Sequence, residues 1–229
     1  MKKNKILSLM LSASLVIAQL PVLFHQTEVK AAFAKVKEES YAETNQKFTT
    51  IDLRSVANRG FADDVEGDRK GGWTDQGSTN DMRFFDLKGI NNLKGVDFDI
   101  IDPDSNNGNS VVVLRGNDDI GVPTTVEIPI NAKGAGVYFL HASAWLKTIC
   151  GWYTLVYEDG TEYEVPVRQD KDIFNWWGTG ASDTTITAWT GSNNATTAAS
   201  LYLFAVTTVL SLLISFVIMK IKYLNKVIS

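Results

Sequence analysis

The chain has 229 residues, with 22 Lys+Arg against 26 Asp+Glu and a formal net charge of −4. This acidic balance disfavours binding to nucleic acid, and to other anionic polymers or anionic lipid, through bulk charge. Cys150 is the only cysteine, so no intramolecular disulfide can form and the fold must be stabilised by its own core.

Residues 1–31 are typical of a secretory signal sequence. Three of the first five residues are lysines, residues 6–23 are largely apolar, and Val29-Lys30-Ala31 offers small residues at the −3 and −1 positions of a cleavage site. We therefore expect the rest of the chain to be exported. Removal of this segment leaves His141 as the one histidine, which excludes a multi-histidine metal site.

Residues 32–47 are polar and predict a flexible leader, whereas a single domain is predicted over 48–205. In that region short apolar or alternating runs are separated by Gly, Asn, Asp and Pro. Such runs predict strands at 49–55, 96–101, 110–114, 125–130, 136–144, 152–157, 162–167, 185–189 and 200–205. Short strands without a sustained helical period predict an all-β fold, an antiparallel jelly-roll β-sandwich.

Asp159-Gly160 separates two alternating runs and predicts the clearest hairpin. This dipeptide favours a tight two-residue turn, because both residues of such a turn need positive φ.

The second apolar segment, 198–219, carries no charge and is followed by Lys220, Lys222 and Lys226. As a helix it spans about 33 Å, enough for a hydrocarbon core of about 30 Å. We therefore predict a transmembrane helix over 199–222, a cytoplasmic tail over 223–229 and the preceding domain outside the cell. The helix overlaps the strand predicted at 200–205, and the sequence leaves open which of the two forms.

Residues 59–77 form a long Gly- and Asp-rich segment, of the kind that is functional or disordered in compact domains. Asp63, Asp64, Asp68 and Asp75 are candidate ligands for Ca²⁺, which takes six to eight oxygen ligands. The alternative is a solvated loop in which a carboxylate caps a turn.

All six tryptophans lie between the two apolar segments. Indole rings stack on the apolar faces of sugars, while acid and amide side chains bind the hydroxyls. The candidate sugar contacts are Trp73, Asp75, Gln76, Trp145 and Trp177. Core packing is the alternative for Trp73 and the favoured interpretation for Trp152 and Trp189. Trp176 and Trp177 are adjacent, so on extended backbone at most one of them can enter the same core.

Catalytic motifs are absent from the sequence: there is no Gly-x-Ser-x-Gly, zinc motif, phosphate loop or nucleotide fingerprint. Glycosidases need two carboxylates at a defined separation, a criterion that any acid-rich chain can meet by chance. We therefore expect no catalytic residues. The alternative is an enzyme whose acids lie between Asp63 and Asp75.

Several motifs together resemble a galactose-binding-like β-sandwich module, of the kind that accompanies bacterial glycoside hydrolases. They are Asn58-Arg-Gly-Phe-Ala-Asp-Asp64, Gly71-Gly-Trp-Thr-Asp-Gln-Gly77, Phe98-Asp-Ile-Ile-Asp-Pro103, Tyr157-Glu-Asp-Gly160 and Trp176-Trp-Gly178. The resemblance covers about residues 49–204. It implies a jelly roll without catalytic activity that binds a polysaccharide or other glycan and can carry a structural calcium ion.

Such modules continue into further soluble sequence, whereas here a membrane anchor is predicted. The leading hypothesis is a noncatalytic carbohydrate-binding module tethered at the cell surface. A truncated remnant or accessory part of an exported glycoside hydrolase, or a surface adhesion protein, remains the alternative.

Overall fold

A computed structural model describes residues 6–8, 48–114, 121–134, 136–145, 148–207 and 215–223. Within these residues there is no α-helix, and the one 3₁₀ turn is Pro103–Ser105. The strands are β1 (Ile6–Ser8), β2 (Phe48–Thr50), β3 (Gly89–Leu93), β4 (Val96–Ile100), β5 (Thr125–Lys133), β6 (Gly136–His141), β7 (Ile149–Tyr157), β8 (Glu162–Arg168), β9 (Thr185–Gly191), β10 (Ala199–Thr207) and β11 (Ser215–Tyr223).

The strands form two main sheets and one separate hairpin. The first sheet has the order β2-β1-β6-β10-β9, the second has the order β5-β11-β7-β8, and β3 pairs with β4. β1 is parallel to both of its neighbours, whereas the other strand pairs are antiparallel. This confirms the predicted all-β class and its antiparallel sheets.

The two sheets face each other across an aromatic core. Phe139 on β6 stacks on Tyr153 on β7, with ring centroids 3.6 Å apart and an interplanar angle of 7°. Phe204 on β10 continues the stack beside Phe139. Rings that interdigitate between facing sheets are the packing expected of a β-sandwich.

The neighbouring strands β6 and β10 of the first sheet are buried on both faces, since every residue of 136–140 and 199–206 is buried. Side chains alternate along a strand, so one face must pack on something other than the second sheet. The segment between β2 and β5 supplies this cover: Phe85 meets Trp189 on β9 edge to face at 4.8 Å, and Phe98 and Ile100 on β4 belong to the same core.

His141 is hydrogen-bonded inside the sandwich through both ring nitrogens. Nε2 lies 2.9 Å from the carbonyl oxygen of Asp172, and Nδ1 lies 2.7 Å from the hydroxyl of Tyr153. Because a carbonyl can only accept, Nε2 carries the proton and Nδ1 accepts from Tyr153. Burial lowers the pKa of His141 to about 3, so the ring is neutral at physiological pH.

An ion pair between the partly exposed Arg168 and the buried Asp172 closes the turn after β8. Asp172 has 0% exposure and accepts hydrogen bonds from Arg168 Nε at 2.6 Å and Nη2 at 3.2 Å. The Thr184 hydroxyl and the Arg168 backbone N–H also donate to this carboxylate. The charge is therefore paired and fully hydrogen-bonded, as burial of a carboxylate requires.

The hairpin at Asp159-Gly160 joins β7 to β8 as predicted, but the predicted turn type is wrong. Gly160 has φ of 82°, while Asp159 is not among the described residues with positive φ. The Asp159 carboxylate accepts from both the backbone N–H and the hydroxyl of Thr161, which favours a longer turn with glycine at its one left-handed position.

The C-terminal apolar segment differs most from the prediction, because β10 and β11 occupy most of the helix predicted over 199–222. A long apolar run suits a membrane helix or two buried strands equally well, and its pattern alone does not distinguish them. Here β10 pairs with β6 and β9, and β11 pairs with β5 and β7. The sheets therefore extend beyond the predicted domain boundary at 205.

Among the described residues, none belongs to a helix that is both long and apolar enough for a membrane span. Except for β1 the predicted signal sequence lies outside the described residues, as do the predicted leader and, beyond Tyr223, the predicted tail. The strand predicted at 110–114 is reduced to a single bridge between Val111 and Arg59. β3 was not predicted.

Candidate functional site

The acidic loop, residues 59–77, folds around the side chain of Asp63, which is 1% exposed. The Asp63 carboxylate accepts the backbone N–H of Gly77 at 2.9 Å, and its own N–H donates to Asp81. A Cβ at Gly72 would lie only 2.7 Å from the Cβ of Asp63, so glycine is required for the chain to pass this closely.

Three of the four predicted calcium ligands come together in this loop. One carboxylate oxygen from each of Asp63, Asp68 and Asp75 lies within 4.8 Å of the others. Ca²⁺–oxygen distances are 2.3–2.6 Å, so one ion reaches oxygens up to about 5 Å apart. The spacing of these three oxygens therefore fits a single calcium ion.

The fourth predicted ligand, Asp64, points elsewhere. Its carboxylate pairs with Arg83 Nη2 at 2.9 Å, and its side chain is largely exposed. The same guanidinium donates to Asp81 and to the backbone carbonyl of Asp63. The hydrogen bond to Asp81, with help from Asp64, raises the pKa of Arg83, which remains charged and fixes the start of the loop.

Trp73 packs towards the core rather than presenting a free ring. It is half-buried and meets the buried Trp176 edge to face, with ring centroids 5.2 Å apart. Its indole Nε1 is buried and has no hydrogen-bond partner. The core alternative for this residue is therefore the one that the structure supports.

Trp177 is the opposite case, with 47% of its surface exposed beside the 2% exposed Trp176. This confirms that only one of the adjacent pair enters the core. The Trp177 indole N–H donates to Asn80 Oδ1 at 3.3 Å, and its backbone N–H donates to Asn175 Oδ1. The ring is therefore exposed but held in a fixed orientation.

Asn80 connects the neighbouring amides and was not predicted from the sequence. It is only 7% exposed, donates to Gln76 Oε1 at 2.6 Å and accepts from Asn193 Nδ2 at 3.3 Å. Gln76, a predicted sugar contact, is therefore linked to Trp177 through the side chain of Asn80. In the sequence Asn80 is an asparagine in the loop after Gly77, and asparagines are too common in loops for this one to predict that it anchors Trp177.

Trp145 is 55% exposed and shortly follows a segment whose backbone is bridged to the one before Trp177. Ser143 forms a parallel bridge with Asn175, supported by hydrogen bonds to Phe174 and from Trp176. Each exposed tryptophan follows its bridged residue by two positions, so the backbones that carry them are neighbours at the bridge. We call Trp145, Trp177, Gln76, Asn80 and Asn193 the tryptophan edge.

The remaining predicted positions divide between loop and core. Asp75 belongs to the carboxylate cluster, and its Oδ1 accepts the backbone N–H of Arg69. Trp189 packs between Phe84 and Phe85, as predicted for a core residue. Trp152 alternates with the buried Tyr153 and so faces away from the other sheet, which corrects its core prediction.

Comparisons of the chain with protein-family models, with curated proteins and with solved structures give no match.

Proposed function

We propose that this protein is a noncatalytic carbohydrate-binding module, a galactose-binding-like jelly roll that binds a glycan at the tryptophan edge. The observation that carries the proposal is the exposed, oriented ring of Trp177 beside a hydrogen-bonded group of amides. An indole supplies a stacking face for the apolar side of a sugar, and neighbouring amides can bind its hydroxyls.

The edge is organised before any ligand binds. Asn80 already bonds to the Trp177 indole and to Gln76, and Asn193 donates to both Asn80 and the Asp81 carbonyl. Groups that are ordered in the free protein cost less entropy on binding. The amide nitrogen of Gln76 donates to no protein group in the described part of the chain, which leaves it available to a ligand.

The proposal includes a structural calcium ion bound by Asp63, Asp68 and Asp75, whose spacing supports it. Gln76 and Gly77 directly follow Asp75, so an ion at these carboxylates would brace the segment that carries Gln76. The signal-like N-terminus supports export, which would bring the module into contact with extracellular polysaccharide.

Binding of the full-length protein to a broad glycan panel, with and without calcium, tests this function. We expect saturable binding to at least one polysaccharide that Trp177→Ala weakens by about tenfold or more. Ile90→Ala is the control, because Ile90 is an apolar side chain on β3 that is even more exposed, at 62%, and lies outside the tryptophan edge. A folded sample that binds nothing on the panel would falsify the proposal, and new reducing ends would identify an enzyme instead.

A further inference from the structure

We infer that the glycan bound beside Trp177 carries an N-acetylated amino sugar whose carbonyl oxygen accepts a hydrogen bond from Gln76, an inference that rests on the proposed function. The direction of the hydrogen bonds at the tryptophan edge supports it. An indole N–H can only donate, so the side-chain oxygen of Asn80, 3.3 Å from Trp177 Nε1, is the acceptor. The amide nitrogen of Asn80 therefore faces Gln76 and donates to Gln76 Oε1 at 2.6 Å.

Asn193 agrees with this orientation and has no free amide proton for a ligand. Its Nδ2 donates to Asn80 Oδ1 at 3.3 Å and to the carbonyl oxygen of Asp81 at 3.0 Å, so both of its amide protons are used. Its Oδ1 accepts the backbone N–H groups of Ala195 and Thr196. Asn80 Oδ1 likewise accepts from two donors, so the side-chain oxygens of both asparagines are occupied.

The amide group that is left without a protein partner is a donor. Gln76 is half-buried, its Oε1 accepts from Asn80, and its Nε2 donates to no protein group in the described part of the chain. A sugar hydroxyl can accept from this nitrogen, but its own proton then needs a further acceptor. A carbonyl oxygen accepts without a proton to place and is the better match. Because Trp177 bonds to the same Asn80 amide, one sugar can reach both the indole and Gln76.

An acetamido group combines such a carbonyl with a methyl group that can pack on the indole of Trp177, which is 47% exposed. A carboxylate would also accept from Gln76, but the charges nearby disfavour an anion. Asp75 directly precedes Gln76 and lies in the carboxylate cluster with Asp63 and Asp68. Three carboxylates outweigh the charge of one calcium ion, so the local potential stays negative even when the ion is bound. The neutral acetamido group is therefore favoured over a uronic acid.

The test compares sugars that differ only in the acetamido group. The full-length protein is titrated by calorimetry with trimers of β-1,4-linked N-acetylglucosamine or glucose, and with N-acetylgalactosamine or galactose. We expect the acetylated member of at least one pair to bind about fivefold more tightly or better. Gln76→Glu replaces the Nε2 donor by an oxygen and keeps the acceptor for Asn80, so it should abolish this preference. Gln169→Glu, the same change in the turn after β8, should retain it.

Thermal melting shows whether each variant is folded. Gln76→Ala also removes the donor, and it decides the outcome if Gln76→Glu melts early. A preference for the acetylated sugar that persists in a folded Gln76 variant overturns the assignment of the carbonyl to Gln76.

Failure of this inference differs from failure of the proposed function. Equal or tighter binding of the unacetylated member in both pairs, or saturable binding confined to other unacetylated polymers of the panel, overturns the N-acetyl specificity while glycan binding stands. Preferential binding of polygalacturonate over every neutral glycan overturns the neutral ligand. Absence of binding to any glycan by folded protein overturns the function and the inference together.

Discussion

Polar side chains serve different purposes in two regions of the molecule. One region is the interior between the two sheets, and the other is the tryptophan edge. In the interior, the side chains of His141 and Asp172 bond to partners that belong to the fold. At the edge, Asn80 fixes Trp177 and Gln76 while the indole remains in water. The comparison indicates that substitutions inside should change stability alone, and substitutions at the edge should change binding alone.

The largest effect is expected from the buried carboxylate of Asp172. Asp172→Ala removes the buried carboxylate that accepts from the backbone N–H and the guanidinium of Arg168, which should reduce the free energy of unfolding by about 3–5 kcal/mol. Chemical denaturation measures this loss. Asp86→Ala, at an exposed aspartate, is the matched control and should change stability by less than about 0.5 kcal/mol. Equal, small losses in both variants would show that the buried carboxylate contributes little.

Substitution of Trp73 tests whether this residue belongs to the core or to the tryptophan edge. Trp73→Ala removes the ring that packs on Trp176, so we expect a loss of about 3 kcal/mol in unfolding free energy. Binding by the fraction that remains folded should be unchanged. A variant that melts like the wild type but loses glycan affinity would show that Trp73 serves binding at the tryptophan edge and not the core.

Burial of His141 should make the free energy of unfolding depend on pH. Its pKa is lowered from 6.5 to about 3, so between these values the unfolded chain binds a proton that the folded protein does not. Stability should therefore fall as the pH falls through this window, by up to about 1.4 kcal/mol per pH unit.

His141→Gln provides the comparison, because a glutamine amide can donate to Asp172 and accept from Tyr153 without titrating. The difference in unfolding free energy between wild type and variant should shrink as the pH is lowered from 6.5 to 4. Parallel pH profiles for the two proteins would show that His141 does not contribute.

Calcium should stabilise the acidic loop more modestly. At ten times its dissociation constant the ion should add about 1.4 kcal/mol, seen as a higher melting temperature. Asp68→Ala should abolish this rise, whereas Asp64→Ala should retain it, because Asp64 pairs with Arg83 outside the carboxylate cluster. A rise that both variants retain would exclude this cluster as the site.

The strands that could be predicted from the sequence are those whose apolar and polar residues alternate over a short range. The alternating runs that became β5, β7 and β8 were recognised because a period of two is visible within a few residues. β3, with the sequence Gly-Ile-Asn-Asn-Leu, has weak strand propensity and exists only through its pairing with β4. β11 was mistaken for helix because only pairing with β5 and β7 decides its conformation.

The candidate site was predicted in a similar, partial way. Residue chemistry was sufficient to nominate Trp145, Trp177 and the aspartates, but not to separate Asp64 from Asp68. That separation depends on Arg83, which is distant in sequence and reaches Asp64 through the fold. Asn80 was missed for the same reason, since its partners Trp177 and Asn193 lie far along the chain.

The smallest expected effect on stability belongs to Trp177, and its measurement tests the central claim most directly. The claim is that the exposed indole serves binding and not folding. Melting and glycan titration are measured together on full-length Trp177→Ala. We predict an unfolding free energy within about 0.5 kcal/mol of the wild type and a loss of about 1–3 kcal/mol in binding free energy. A variant that binds as tightly as the wild type, or one that unfolds before it can be titrated, would contradict the account.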